Sequence, residues 1–302
     1  MTRVILDCDP GHDDAIALLF ALGSPAELKL LGVTTVSGNQ TLEKTTANAI
    51  RVLDHLGCDD IPVVAGAGRP LVREQHVAAE VHGDTGLDGP ELPPPARQAD
   101  REHAIDWIAS RGPVTLVATG PLTNVAVLLA RHPDVEIERI VLMGGAIGEG
   151  NVTPAAEFNI WVDPEAAARV FESGIDLTMV GLDVTHKALM TPAHADRLAS
   201  AGRAGKLVAD LYAFYSRFHR ERYGWDGAPI HDACAVAHLI DPTLIETVHC
   251  GVKVDTGGEL SRGRTNADRF GRCAWVPNCH VAVDIDSERF LSLLIERIGA
   301  LG

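Results

Sequence analysis

Positive charge is scarce in this sequence. Lysine and arginine number 26 against 41 aspartates and glutamates, a formal net charge of −15. Tracking a nucleic-acid backbone needs clustered Lys and Arg, and an anionic membrane surface is equally unsuited to so acidic a chain, so neither partner is expected. A neutral or cationic small ligand fits better, as does a bound divalent cation that relieves local repulsion. Paired cysteines are also missing. Cys8, Cys58, Cys234, Cys250, Cys273 and Cys279 form no C-x-x-C pair and no regular framework, which suits small buried residues in a reducing compartment. No apolar run reaches the ~20 residues of a membrane helix. No charged-then-apolar leader precedes the strand-like residues that begin at Arg3, so a cytoplasmic chain is expected. Linkers rich in Gly, Pro or Ser, internal repeats and low-complexity tracts are absent as well. One domain over residues 1–302 is the resulting expectation, in a chain that is 46% hydrophobic and long enough for a large core.

Short apolar runs alternate with segments of helical period. "RVILDCD" (3–9), "LKLLGVTTVSG" (28–38), "VTLVATG" (114–120), "RIVLMGG" (139–145) and "DLTMVGLDVT" (176–185) read as buried strands. Between them, residues 14–23, 41–57, 101–110, 123–133 and 163–174 read as helices, with Gly23, Gly57 and Gly174 where C-terminal caps belong and Pro164 where a first turn tolerates proline. Flush apolar strands alternating with helices predict an α/β fold with a doubly wound, mostly parallel central sheet. The stretch from Thr191 to Leu239 is mainly helical; strands return at 248–256 and 278–286, before a terminal helix. The proline cluster "DGPELPPPARQ" (88–98) reads as a loop flanking the site.

The opening stretch "VILDCDPGHDDAIALL" places Asp7, Asp9, Asp13 and Asp14 within eight residues, around a Pro-Gly turn between strand and helix. One such aspartate is an ordinary helix cap. Four together, beyond the carboxyl end of a strand where open α/β sheets bind ligands, point to a hard-metal site for calcium or magnesium rather than zinc. It is not an EF-hand, because position 6 counted from Asp7 is His12 and position 12 is Leu18. No G-x-x-x-x-G-K-[ST] phosphate loop occurs. A magnesium phosphohydrolase with an Asp nucleophile, of the haloacid-dehalogenase type, remains an alternative at this point.

"LDCDPGHDDAIAL" resembles the N-terminal signature of the nucleoside hydrolases, in particular the inosine-uridine-preferring group. "GVTTVSGNQTLEKTTANA" (32–49), "VHGDTGLDG" (81–89), "ATGPLTNVA" (118–126), "VLMGGAIGEGNVTPAAEFNIWVDPEAA" (141–167), "MVGLDVTHKALMTP" (179–192) and "HDACAVAHLIDP" (231–242) resemble that family in the same order. The resemblance implies calcium-dependent hydrolysis of the N-glycosidic bond of purine or pyrimidine ribonucleosides, giving ribose and free base, and a role in nucleoside salvage. It implies one Ca2+ per subunit, with ligands at Asp9, Asp14, the Thr119 carbonyl and Asp232, and with Asp9 also as general base. Asp7 would support these carboxylates from behind. Asp13, Asn39, Asn151, Glu157 and Asn159 match positions that hold the ribose hydroxyls, and Met143 one that packs on the sugar. By local sequence alone the three asparagines are equally well turn residues. His231 matches the histidine beside the leaving base, and a homo-oligomer, dimer or tetramer, is expected.

For His82, in a glycine-flanked loop, ligand contact and loop hydrogen bonding stand equally open. Tyr223 and Trp225, in "YGWDG", offer flat faces to a nucleobase and serve as well in a core or lid. His12 reads as structural and His238 as packed.

Overall fold

The computed structural model describes residues 1–302. From the N-terminus it runs β1 (Thr2–Cys8), α1 (His12–Leu22), β2 (Leu28–Thr35), α2 (Leu42–Leu56), β3 (Val63–Ala65), α3 (Ala79–His82), α4 (Ala104–Ala109), β4 (Val114–Ala118) and α5 (Thr123–Arg131). There follow β5 (Ile137–Met143), α6 (Phe158–Val162), α7 (Pro164–Phe171), β6 (Leu177–Val180), α8 (Leu182–Thr185), β7 (Leu189–Met190), α9 (Pro192–Ala199) and α10 (Gly202–Tyr223). The last elements are β8 (Ala228–Pro229), α11 (His231–Ile240), β9 (Ile245–Val254), β10 (Thr265–Asp268), β11 (Cys279–Ile285) and α12 (Ser287–Gly299).

Nine strands form one sheet in the order β10-β9-β11-β6-β5-β4-β1-β2-β3. From β3 through β11 neighbouring strands are parallel; β9 pairs antiparallel with β11, and β10 antiparallel with β9. Both faces are covered. Along β1 the period of two sends Val4, Leu6 and Cys8 into one core and Ile5 into the other. All six cysteines are free thiols, and no helix is long and apolar enough to cross a membrane.

The chain leaves β1 for β2 on one side and reaches β4 on the other, so strand order reverses between β1 and β4. That is where doubly wound sheets open a ligand crevice. Asp9 follows β1 and Thr119 follows β4, so the acidic turn lies at the switch point.

Four details differ from the sequence reading or refine it. The strand expected over 176–185 stops at Val180, and Leu182–Thr185 turns into α8. Leu182 N–H donates to Gly145 O, and the Asp183 carboxylate accepts from Ile147 and Gly148 N–H, so these residues grip the neighbouring loop instead of extending β6. Strands β3 and β10, of three and four residues, carry too little periodic signal to be read. Gly23 ends α1 in a right-handed conformation; its glycine answers close approach to the Arg297 backbone, which a Cβ would strike. The proline cluster is strapped along α2, where Arg51 donates to Leu92 and Pro93 carbonyls; only its Asp88 end, whose carbonyl contacts His12 Nε2, reaches toward the site.

Candidate active site

Asp14 organises the turn at the start of α1. Its Oδ2 accepts from Gly11 N–H (3.0 Å) and Asn39 Nδ2 (3.0 Å), and its Oδ1 from Asp9 N–H (3.4 Å) and Thr119 Oγ1 (2.8 Å). A carboxylate there also meets the positive end of the helix dipole. Asp9 Oδ2 accepts from Asn39 N–H at 2.6 Å, while its Oδ1 is buried with no partner. Gly38 and Gly120 flank this carboxyl: a Cβ on Gly38 would overlap Oδ2, and one on Gly120 would lie 2.7 Å from Oδ1. The cradle gives a direct test. If Asp9 is the general base that the resemblance implies, Gly38→Ala should displace it and lower kcat/KM by roughly 10²-fold, while circular dichroism still reports a folded chain.

Oxygens of Asp13, Asp14 and Asp232 lie within 4.8 Å of one another, all three residues buried. Asp13 and Asp232 come from the first turns of α1 and α11. The structure groups Asp13 with Asp14 and Asp232, with Asp9 beside them, and Asp13 also lines the cavity shared by Asn39, Asn151, Glu157 and Asn159. None of the ion pairs in the molecule involves any of these four carboxyls. Burial, and then repulsion among the four, push the carboxyls of Asp9, Asp13 and Asp232 above the ordinary range; burial does the same to Asp14. The residues present fit a hard cation. The donor set is all oxygen, Asp9 Oδ1 is unclaimed, and the Thr119 carbonyl points to the same crevice, where Asn159 Nδ2 reaches it at 2.7 Å.

Asp7 does not brace this cluster. Its Oδ1 accepts from Thr34 Oγ1 (2.6 Å) and Asn124 Nδ2 (2.7 Å), tying β1 to β2 and α5. Burial pushes it up to about 6. Its backbone carbonyl does serve the site, by accepting from Thr119 N–H at 2.8 Å.

Glu157 caps α6 and takes Gly145, Asn159 and Ile160 N–H on its two oxygens; even so, burial raises it to about 7. Asn159 donates to the Thr119 and Met143 carbonyls, and Asn151 accepts from Phe158 N–H. Met143 closes β5 beside them. These residues share a cavity of about 360 Å3 with Asp13, Asn39, Thr119 and Asp232.

The cavity is also lined by His82, His231 and Tyr223, as the sequence reading allowed, and by His186, Tyr215, Phe218, His219 and Arg222, which it passed over. Residues 215, 218, 219, 222 and 223 fall on one face of α10 at helical spacing, a signal present in the sequence and readable once α10 is known to cover the crevice. For His82 the structure shows the loop hydrogen bonding and a place on the cavity wall. Its Nδ1 meets His12 N–H (3.2 Å) and Nδ1 (3.1 Å). Trp225 does not line the cavity; it stacks behind Tyr223 at 4.6 Å and edges against His186. His12 is buried in a stack with Phe214 and Tyr215, a structural place as expected. Burial holds His12 and His219 down to about 4, so both are neutral near pH 7.

Comparison of the whole chain with known proteins gives its family. The profile of the family described as inosine-uridine preferring nucleoside hydrolase matches residues 4–292. The chain belongs to this family. As a nucleoside hydrolase it is an enzyme, and the phosphohydrolase alternative is set aside. It is 51% identical to the pyrimidine-specific ribonucleoside hydrolase RihA of Shewanella sp. (strain ANA-3), over 98% of this chain and 95% of that one. RihA of Klebsiella pneumoniae (strain 342) is 48% identical over 98% of this chain and 97% of its own. The solved structure of a purine-preferring ribonucleoside hydrolase from Gardnerella vaginalis superposes with a TM-score of 0.93 at 38% identity, covering 99% of both chains.

Proposed function

We propose that this single-domain nucleoside hydrolase cleaves the N-glycosidic bond of pyrimidine ribonucleosides, with one Ca2+ per subunit, as a cytoplasmic homo-oligomer in nucleoside salvage. One observation carries the reading. Four buried carboxyls lie together without a cationic side chain, and two of them, Asp13 and Asp232, line a cavity walled also by aromatic rings and histidines. The relatives named pyrimidine-specific, at 48% and 51% identity, support the base preference over the purine-preferring one at 38%.

Asp9, Asp14, Asp232 and the Thr119 carbonyl would hold the cation, with the Asp13 carboxyl adjoining them. When bound, Ca2+ supplies charge compensation and an electrophilic hold on the ribose diol and the attacking water. Asp9 takes the proton from that water through Oδ1, the oxygen left without a partner. Asp13, Asn39, Asn151, Glu157 and Asn159 orient the sugar hydroxyls, and Met143 packs on the ring. As the C–N bond lengthens, positive charge on the ribose is favoured by the surrounding acids. Negative charge on the base meets His231, which donates to the leaving group, while Tyr223 and His82 border the base. Trp225 backs Tyr223 rather than touching substrate.

The test is a ribose-release assay over a nucleoside panel with metal-replete and chelator-stripped enzyme. Uridine and cytidine should outpace inosine, and 2′-deoxyuridine should lose roughly 10²-fold or more because the diol clamp is broken. Comparable rates on the two sugars would remove the clamp. Binding without ribose release by replete protein would favour a nucleoside-binding protein.

A further inference from the structure

Thr185 does not line the cavity, yet it makes the only hydrogen-bonding contact of the His231 ring. Thr185 Oγ1 lies 2.7 Å from His231 Nδ1. Thr185 is wholly buried, and its hydroxyl has no other partner. That settles the direction of the bond. If Nδ1 carried the proton, the hydroxyl would accept, and its own hydrogen would be buried without an acceptor, a loss of about 1–3 kcal/mol. If the hydroxyl donates to Nδ1, both groups are satisfied and the ring proton resides on Nε2. Nε2 makes no hydrogen bond within the chain, and the ring lines the cavity.

We propose that Thr185 is a positioning residue that holds His231 in the tautomer with hydrogen on Nε2, so that the ring donates a hydrogen bond to the departing base. The opposite tautomer would aim a lone pair at a group gathering negative charge. The proposal rests on the reading of His231 as the donor at the base.

The scaffold around Thr185 is suited to this task. Helix α8 is fastened to the loop after β5 by Leu182 N–H on Gly145 O and by Asp183 on Ile147 and Gly148 N–H. Thr185 N–H closes the turn on Gly181 O. Ile230, which leads into α11 and His231, donates its N–H to Ala188 O just beyond α8. Hydroxyl and imidazole are thus presented by two elements tied to each other, so neither can drift without breaking a backbone bond. A tautomer is set by what the second ring nitrogen meets, and here only a hydroxyl is within reach.

Thr185→Val keeps shape and volume but removes the hydroxyl, and Thr185→Ser restores it. On metal-loaded enzyme, Thr185→Val should lower kcat for uridine by about 10–10²-fold, part of the usual general-acid effect. It should leave KM for uridine and turnover of p-nitrophenyl riboside, whose leaving group needs no donor, within about twofold; Thr185→Ser should return uridine turnover to near wild type. In wild-type enzyme labelled with 15N-histidine, the His231 ring should show the pattern of protonated Nε2 and bare Nδ1. Equal losses on both substrates, or protonated Nδ1 in the wild type, would overturn the proposal. The spectrum decides the matter even where Thr185→Val folds poorly. His231→Ala separates the two ideas. If it impairs both substrates equally, the donor reading of His231 fails; if it spares only p-nitrophenyl riboside while Thr185→Val changes nothing, the role of Thr185 alone fails.

Discussion

Asp9→Asn is expected to lower kcat for uridine by at least ~10³-fold, within the range that loss of a general base produces. The geometry explains why so small a change matters. Asp9 Oδ2 is committed to Asn39 N–H, so an asparagine would keep its oxygen there and turn its NH2 toward the place of the unpartnered Oδ1. A proton acceptor becomes a donor. Gly38 and Gly120 close on either side, leaving no second position for the side chain. At full metal loading KM should change less than kcat, because Asp13, Asn39, Asn151, Glu157 and Asn159, proposed to hold the ribose, are untouched. Steady-state ribose release with bound metal quantified in the same preparation checks this. A kcat within about tenfold of wild type would remove Asp9 from the base role.

Metal removal is the second large effect. Chelation should abolish turnover, and added Ca2+ should restore it. It should also soften the fold. A cation at a hundredfold excess over its Kd stabilises by about 2.7 kcal/mol, which for a chain of this size is a Tm shift of several degrees. The pH dependence has a definite sign. In the cation-free chain, burial raises the four carboxyls, with repulsion adding to it at Asp9, Asp13 and Asp232 and Asp13 reaching about 8, so a cation must displace protons that these groups retain. The difference in Tm between loaded and stripped protein should therefore be largest above neutrality and shrink as pH falls toward the ordinary carboxylate range near ~4. Taking the difference cancels the opposing titration of buried histidines such as His12 and His219. A gap that widens on acidification would count against a carboxylate-held cation.

Much of this molecule is legible in its residues alone. Flush apolar runs such as residues 114–118 declare buried parallel strands, and a motif with four aspartates announces a cation site at a strand-to-helix turn. The boundary within 176–185 is not legible, because Leu182–Thr185 is apolar enough to continue a strand, while the bonds that fold it into α8 come from the distant loop 145–148. Asp7 departs from expectation for a related reason. In a β-strand neighbours two apart share a face, but Asp9 lies past the end of β1, where the chain has begun to turn, and Asp7 pairs with Thr34 and Asn124 instead.

The sequence by itself determined the fold class, the family and the chemistry of the carboxyl cluster, because these are written in local periodicity and in clustered residue types. Only the tertiary structure decided the pocket wall and the hydrogen bonds that aim it. His186, His219 and Tyr215 lie far along the chain from Asp9, and Trp225 is displaced to a second layer by stacking against Tyr223. The pairing of Thr185 with His231 spans 46 residues. Contacts of that kind follow from how α8, α10 and α11 pack beyond the sheet's carboxyl edge, and no local pattern encodes the packing.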